Sequence, residues 1–289
     1  MSWIISRVAF LLVAALAQNS GPDTQLFYQA HRGGLKEVPE NTLAAFKYAW
    51  ASPGAVPEVD IQTTRDGLYV CIHDGTPGRT TNAPPNLKHR IVSTIDSQTV
   101  RQWDAGSWFD PKFAGEKVPF LKEVLDEMKG RPERQIYLDA KGIDLDALAS
   151  LIMEYGLNNQ VIFTHEDPEV CAQFKQKVPG ARSMTWLSGP ATIIKSRFQR
   201  LADQKFCGLT QLQLHLKSTR TKPDIVYALD DAFIREAVKQ AAQAGVQLQL
   251  RPFEFSPQSL RKLIDAGVHW FATDEPQKFR QALEQAVKL

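Results

Sequence analysis

Short apolar runs of strand length alternate with stretches in which apolar residues recur every three or four positions, and this rhythm holds from Leu26 to the end of the chain. The runs Leu26–Ala30, Glu58–Thr64, Leu68–Ile72, Gln135–Ala140, Val161–Thr164, Arg182–Leu187, Gly208–Leu214, Val246–Leu250 and His269–Thr273 read as strands. Helical patterns cover Thr42–Trp50, Leu121–Lys129, Leu145–Tyr155, Val170–Lys177, Asp231–Ala244, Pro257–Ala266 and Glu275–Val287. A weaker one precedes Gly208. In Leu145–Tyr155, Leu148, Leu151 and Ile152 fall on one face, and Asn41 stands where it can cap the first helix. Arg65-Asp66-Gly67 joins two strand runs directly, and Asp-Gly is a hairpin signal.

Repeated strand–helix units with no break in composition predict a parallel sheet covered by helices. The length suits one α/β domain over residues 18–289, a TIM-type (β/α)8 barrel. A doubly wound sheet would need a glycine-rich loop opening a helix after the first strand, and Gly33-Gly34 does not open one directly. Nine strand candidates are one too many for the barrel. Either the hairpin partner Leu68–Ile72 or the run Gly208–Leu214 lies outside it, and the pattern does not choose. Residues 75–119 break the rhythm with Pro77, Gly78, Pro84, Pro85 and Pro119 among the aromatics Trp103, Trp108 and Phe109. A long loop without regular structure is usually functional, and this one reads as an insertion after the third strand that covers one end of the domain.

The first residues follow another logic. Arg7 precedes an apolar run of about ten residues, Val8–Ala17, half of what a transmembrane helix needs. Ala15-Leu16-Ala17 fits a small-x-small cleavage site, so residues 1–17 are expected to be a signal peptide for an exported, periplasmic or secreted protein. The rest is ordinary globular composition: 289 residues, 43% hydrophobic, 23% charged, formal charge +2. No basic stripe points to nucleic acid. Cys71, Cys171 and Cys207 are an odd, widely spaced set that makes neither a disulfide framework nor a C-x-x-C motif.

The chemistry sits at strand ends. Glu58 and Asp60, two residues apart on a strand, point to the same face. Carboxylates that close repel unless one is protonated or a cation lies between them. All-oxygen ligation suits Ca²⁺ or Mg²⁺. Asp139 and Lys141 repeat the spacing at the end of another strand, Asp139 as a third ligand and Lys141 as a clamp for a phosphate. His31 and His73 each end a strand and are followed by a charged residue; they are suited to serve as acid and base near neutral pH. Arg32 offers a planar fork for a pair of phosphate oxygens. Together these groups describe phosphodiester cleavage.

His31-Arg32-Gly33, Pro39-Glu40-Asn41-Thr42, Glu58-Val59-Asp60, Thr64-Arg65-Asp66-Gly67 and His73-Asp74 resemble the glycerophosphodiester phosphodiesterase family. So do Arg79-Thr80-Thr81, Asp104–Phe109, Val118–Leu121 and Thr273-Asp274-Glu275-Pro276. The resemblance implies a TIM-type barrel, dependence on Ca²⁺ or Mg²⁺, and release of glycerol phosphate and an alcohol. It implies that 75–119 is the family's insertion, near the glycerol end of the site. It makes His31 and His73 the acid and base, Glu58 and Asp60 metal ligands, and Glu40 and Asn41 a loop brace and a helix cap. The later half departs from the pattern. Asp139 replaces the usual Glu, Thr164-His165 the usual Ser-Phe, and Leu250-Arg251-Pro252-Phe253 the usual Trp-Thr-Val-Asn. His165 and Phe253 are therefore expected to line the alcohol side.

Three other readings compete. A lysophospholipase-like enzyme on a lipid phosphodiester would show an exposed rim of Trp103, Trp108 and Phe109. A glycosidase would place its two carboxylates on different elements. A barrel that only captures phosphodiesters would not need both histidines.

Overall fold

The computed structural model describes residues 25–289; the expected signal peptide lies outside the described residues. Eight parallel strands close on themselves: β1 (Phe27–Ala30), β2 (Ala55–Thr63), β4 (Ile136–Ala140), β5 (Val161–Thr164), β6 (Arg182–Leu187), β7 (Gln211–Leu216), β10 (Gln247–Pro252) and β11 (Trp270–Thr273). β1 pairs with both β2 and β11, so the sheet has no edge there. The helices are α1 (Leu43–Trp50), α3 (Leu121–Met128), α4 (Leu145–Glu154), α5 (Pro168–Lys177), α6 (Ala191–Asp203), α7 (Asp231–Gln243), α8 (Pro257–Asp265) and α9 (Pro276–Val287). They pack outside the barrel. The fold is the expected TIM-type barrel.

The surplus strand is the hairpin partner. β3 (Tyr69–Cys71) runs antiparallel to β2 with Ile61 opposite Cys71, outside the barrel, while the run after Gly208 is a true barrel strand. The insertion is more ordered than a bare loop. It contains helix α2 (Ser97–Gln102) and several single 3-10 turns. Its own apolar cluster joins Val70 and Ile72 to Val92, Ile95, Val100, Trp103 and Val118. A second short hairpin, β8 (Ser218–Arg220) with β9 (Val226–Tyr227), was not legible in the hydrophobic pattern because its residues are mostly exposed. Among the described residues no helix is long and apolar enough to cross a membrane.

Helix starts follow side-chain chemistry. Asp144, Asp167, Asp230 and Ser256 accept backbone N–H bonds at the first turns of α4, α5, α7 and α8. The expected Asn41 cap is corrected: Thr42 Oγ1 accepts from Ala45 N at 3.2 Å, and Asn41 is used elsewhere.

Strand alternation divides each barrel strand into two faces. Outward residues such as Val59, Ile61, Leu138 and Phe163 join the main core under the helices. Inward, Val56, Tyr137, Ile162, Met184 and Trp270 pack at the closed end. Above them Gln29, Gln213 and Gln249 share amide hydrogen bonds, and Gln249 Nε2 donates to Tyr137 Oη at 3.0 Å. Buried polar groups persist only when paired, and this belt forms the floor of the site.

Candidate active site

The mouth lies at the C-terminal ends of the barrel strands, where barrels of this kind build their sites. β2 points Glu58 and Asp60 inward. Parallel pairing of β2 with β4 sets Asp60 beside Asp139. One oxygen from each of the three carboxylates lies within 4.8 Å of the others. Glu58 and Asp60 are only 3% and 1% exposed, so water does not shield them from one another.

That crowding has a cost. Burial, then the Asp60 and Asp139 charges, push the Glu58 carboxyl well above the usual range. Burial and the Asp60 charge push Asp139 up to about 7. Burial would raise Asp60 too, but Lys141, His73 and Arg32 with the Asn41 amide hold it below its ordinary value. Lys141 Nζ reaches Asp60 Oδ1 at 3.1 Å. The Asp139 carboxylate accepts no hydrogen bond from the described residues. Three carboxyls, two buried and the third half-buried, two of which resist ionising beside each other, fit a hard divalent cation with oxygen ligands.

Two strained residues hold this cluster. After β1 the chain turns tightly through His31–Gly33, with Arg32 at φ 53°. A side chain there is uncommon. The strain aims the Arg32 N–H at Glu58 Oε2, 2.6 Å away. Gly33 must be glycine, because a Cβ would lie 2.6 Å from that of Ala45. Asn41, at φ 56°, donates from Nδ2 to Asp60 Oδ2 at 2.8 Å and accepts from Asp60 N at 3.0 Å. Left-handed non-glycine residues concentrate at functional sites, and both of these orient a carboxylate.

The two histidines arrive by different routes. His31 follows β1 directly, with Nδ1 2.8 Å from Asp274 Oδ1. Burial lowers its pKa to about 4, against the pull of the Asp274 hydrogen bond. Burial would raise Asp274, but His31, Arg251 and Lys36 hold it well below the usual carboxylate range. His73 follows β3, outside the barrel, with Nδ1 2.7 Å from Asp74 Oδ1. Arg79 fixes Asp74 through Nε at 2.6 Å and grips both oxygens of Glu40 at 2.8 Å. The backbone oxygen of His73 accepts from Gln62 Nε2 at 3.1 Å.

His31, Glu58, Asp60, His73, Asp139 and Lys141 all line one cavity of about 190 Å³. The other expected residues fall outside its wall. The Arg32 guanidinium turns away to Glu40 Oε1 at 3.0 Å, with Nε 3.6 Å from Asp60, so its side chain braces the carboxylate side. His165 accepts from Asp167 N at 3.0 Å; Thr164 is the β5 residue that faces in. Alternation would have shown this, since Thr164 pairs with the inward Asp139. Phe253 touches the cavity through its neighbours, with the His215 ring edge-on at 5.5 Å and the Arg251 guanidinium 5.1 Å from its ring centre. Arg251, His215 and Trp186 line the wall, and none had been singled out for that role. Each sits two residues from another inward position on its strand, a signal open to the same period-two reading.

A TIM-type barrel that gathers three carboxyls, two histidines and a lysine around one cavity at its mouth is an enzyme scaffold. The Glycerophosphoryl diester phosphodiesterase family matches over residues 31–278, and the chain belongs to that family. It is 31% identical over 255 residues to a glycerophosphodiester phosphodiesterase of Caldanaerobacter subterraneus, covering 86% of this chain and 93% of the other. A Bacillus subtilis glycerophosphodiester phosphodiesterase is 26% identical over 301 residues, with 96% and 94% covered. Among solved structures, a putative family member from Silicibacter pomeroyi superposes with TM-score 0.70 at 19% identity, covering 94% of this chain and 96% of that one. An Oleispira antarctica phosphodiesterase solved with the product sn-glycerol-3-phosphate gives 0.65 at 21% identity, with 89% and 96% covered.

Proposed function

We propose that the protein hydrolyses glycerophosphodiesters to glycerol phosphate and an alcohol. The observation that carries this reading is the convergence of His31, His73, Lys141 and the three carboxylates on one cavity. Family membership and the names of the two long-covering relatives support it. Glu58, Asp60 and Asp139 would hold one divalent cation. When bound, it supplies counter-charge to the phosphoryl oxygens. Lys141 faces the phosphate as a point charge. His31 and His73 move the protons, one taking a proton from the nucleophile and the other giving one to the leaving alcohol.

The lipid reading has less support. Trp103 is 6% exposed and locked in the insertion's core, so the three-aromatic rim it required does not form. Trp108 alone is well exposed, at 39%. A cavity of about 190 Å³ takes a headgroup rather than acyl chains. The test is a panel of glycerophosphodiesters with choline, ethanolamine, glycerol and inositol leaving groups, alongside lysophospholipids, with products identified by mass spectrometry. Glycerol phosphate released from the water-soluble diesters is the expected result. Binding without turnover, or turnover of lysophospholipids alone, would sink the proposal.

Residues 1–17 are proposed as an export signal on the strength of the Ala15-Leu16-Ala17 pattern. N-terminal sequencing of exported protein should begin near Gln18; retention of Met1 on an intracellular product would refute it.

A further inference from the structure

We propose that Arg251 is a positioning residue: together with Asp274 it fixes His31 in its Nδ1–H tautomer and opposes imidazolium formation, leaving Nε2 free for proton transfer. The inference rests on the reading above that His31 moves a proton. Three atoms carry it. Arg251 Nη2 donates to Asp274 Oδ1 at 2.7 Å, the same oxygen is 2.8 Å from His31 Nδ1, and Nη2 and Nδ1 are 2.9 Å apart.

An ionised carboxylate only accepts, and a guanidinium only donates. The consistent assignment has both nitrogens donating to one oxygen, with the proton of neutral His31 on Nδ1. An aspartate alone beside a histidine favours the charged imidazolium. Here the aspartate's negative charge is already matched by Arg251, and a second cation on His31 would stand 2.9 Å from the first. Arg251 is held in this place from behind. Its guanidinium carbon lies 5.1 Å from the Phe253 ring centre, a cation–π contact, and its side chain is 12% exposed. This gives Phe253 a role although it stands off the cavity wall.

The other groups near the junction do not undo the effect. Arg32, the next residue, adds a second cation on the β1 side. Lys36 acts on Asp274, further offsetting its charge. His215, on β7, is itself kept uncharged, its pKa lowered to about 3 by burial and by Arg251. Burial and Arg251 thus act on His31 in one direction, and Asp274 in the other.

The consequence is a division of labour. A histidine neutral across the physiological range, with Nδ1 committed, accepts a proton at Nε2 without first having to lose one. Once charged, it gives the proton back readily.

The test reads His31 directly, in the full chain with Mg²⁺ and without substrate, so it stands apart from whether the enzyme turns over glycerophosphodiesters. Long-range ¹H–¹⁵N spectra report the tautomer and titration of each imidazole; His31 is assigned by its absence from the His31→Gln spectrum. The parent should show Nδ1–H and a midpoint well below the ordinary histidine value. In Arg251→Met the midpoint should rise by at least about one pH unit toward or past the ordinary ~6.5. The acid limb of kcat/KM should move up with it. Arg251→Gln removes the same charge with a polar side chain and should shift the midpoint in the same direction. An Nε2–H tautomer in the parent, or an unmoved midpoint in either folded variant, would overturn the proposal. The parent tautomer is decisive even if both variants fail to fold.

Discussion

Stripping divalent cations from the protein should abolish hydrolysis, and adding Ca²⁺ or Mg²⁺ back should restore it. The effect is expected to be large because the carboxylate cluster works against the reaction when alone. Without a cation, acid groups face an anionic substrate, and Lys141 and Arg251 on the cavity wall are each already paired with a carboxylate. The expected loss is at least 10²–10³-fold, the order seen when one charge-stabilising donor is removed from an active site. Asp139→Ala should weaken cation affinity at least ~10–100-fold, the range for losing even an indirect partner. Glu58→Gln supplies the control. In chelator it relieves crowding among the three carboxyls, so its thermal stability should equal or exceed the parent's, while activity stays absent with the cation restored. A parent fully active in excess chelator would end the cation-dependent reading.

Replacing His31 or His73 by Ala should each lower kcat by about 10²–10⁴-fold, the scale for losing a general acid or base. KM should change little, because Lys141 and the carboxylate site remain. The double variant should be far less than the product of the two, since groups acting as a unit are not additive. Near-parental kcat in either single variant would make that histidine structural. The variants differ in how they could fail. His31 is fixed by Asp274 and Arg251 from the far end of the chain, and His73 by Asp74 and the Arg79–Glu40 pair close to it.

Much of this site was legible because its residues obey local rules. Glu58 and Asp60 share a face by strand periodicity alone, and Asp139 and Lys141 repeat it. The histidines stand out as polar residues ending apolar runs. Long-range partners left fainter traces. Asp274 lies 243 residues from His31, and only barrel closure through β1 and β11 brings them together. Arg251 looked like a departure from a motif, not a member of the site. Asn41 had the composition of a cap, but tertiary hydrogen bonds to Asp60 took its side chain and left capping to Thr42. The ninth strand was undecidable because a hairpin partner and a barrel strand have the same alternation. Only pairing tells them apart.

The length of β2 has a bearing on how the site comes into being. Its first part belongs to the barrel and its end to the hairpin with β3, so one strand is indexed twice. A slip of one residue would turn Val59 and Ile61 into the mouth and send every carboxylate on β2 to the wrong side. The insertion clamps the register. Ser97 donates to Asp66 from both N and Oγ, at 2.9 and 2.7 Å, and Cys71 N donates to Pro119 O at 2.8 Å. Contacts from the insertion thus reinforce the register that turns Glu58 and Asp60 inward, alongside the pairing of β2 with β1 and β4. A change in the insertion that loosens Asp66 or Cys71 would therefore be felt at the carboxylates although it touches none of them.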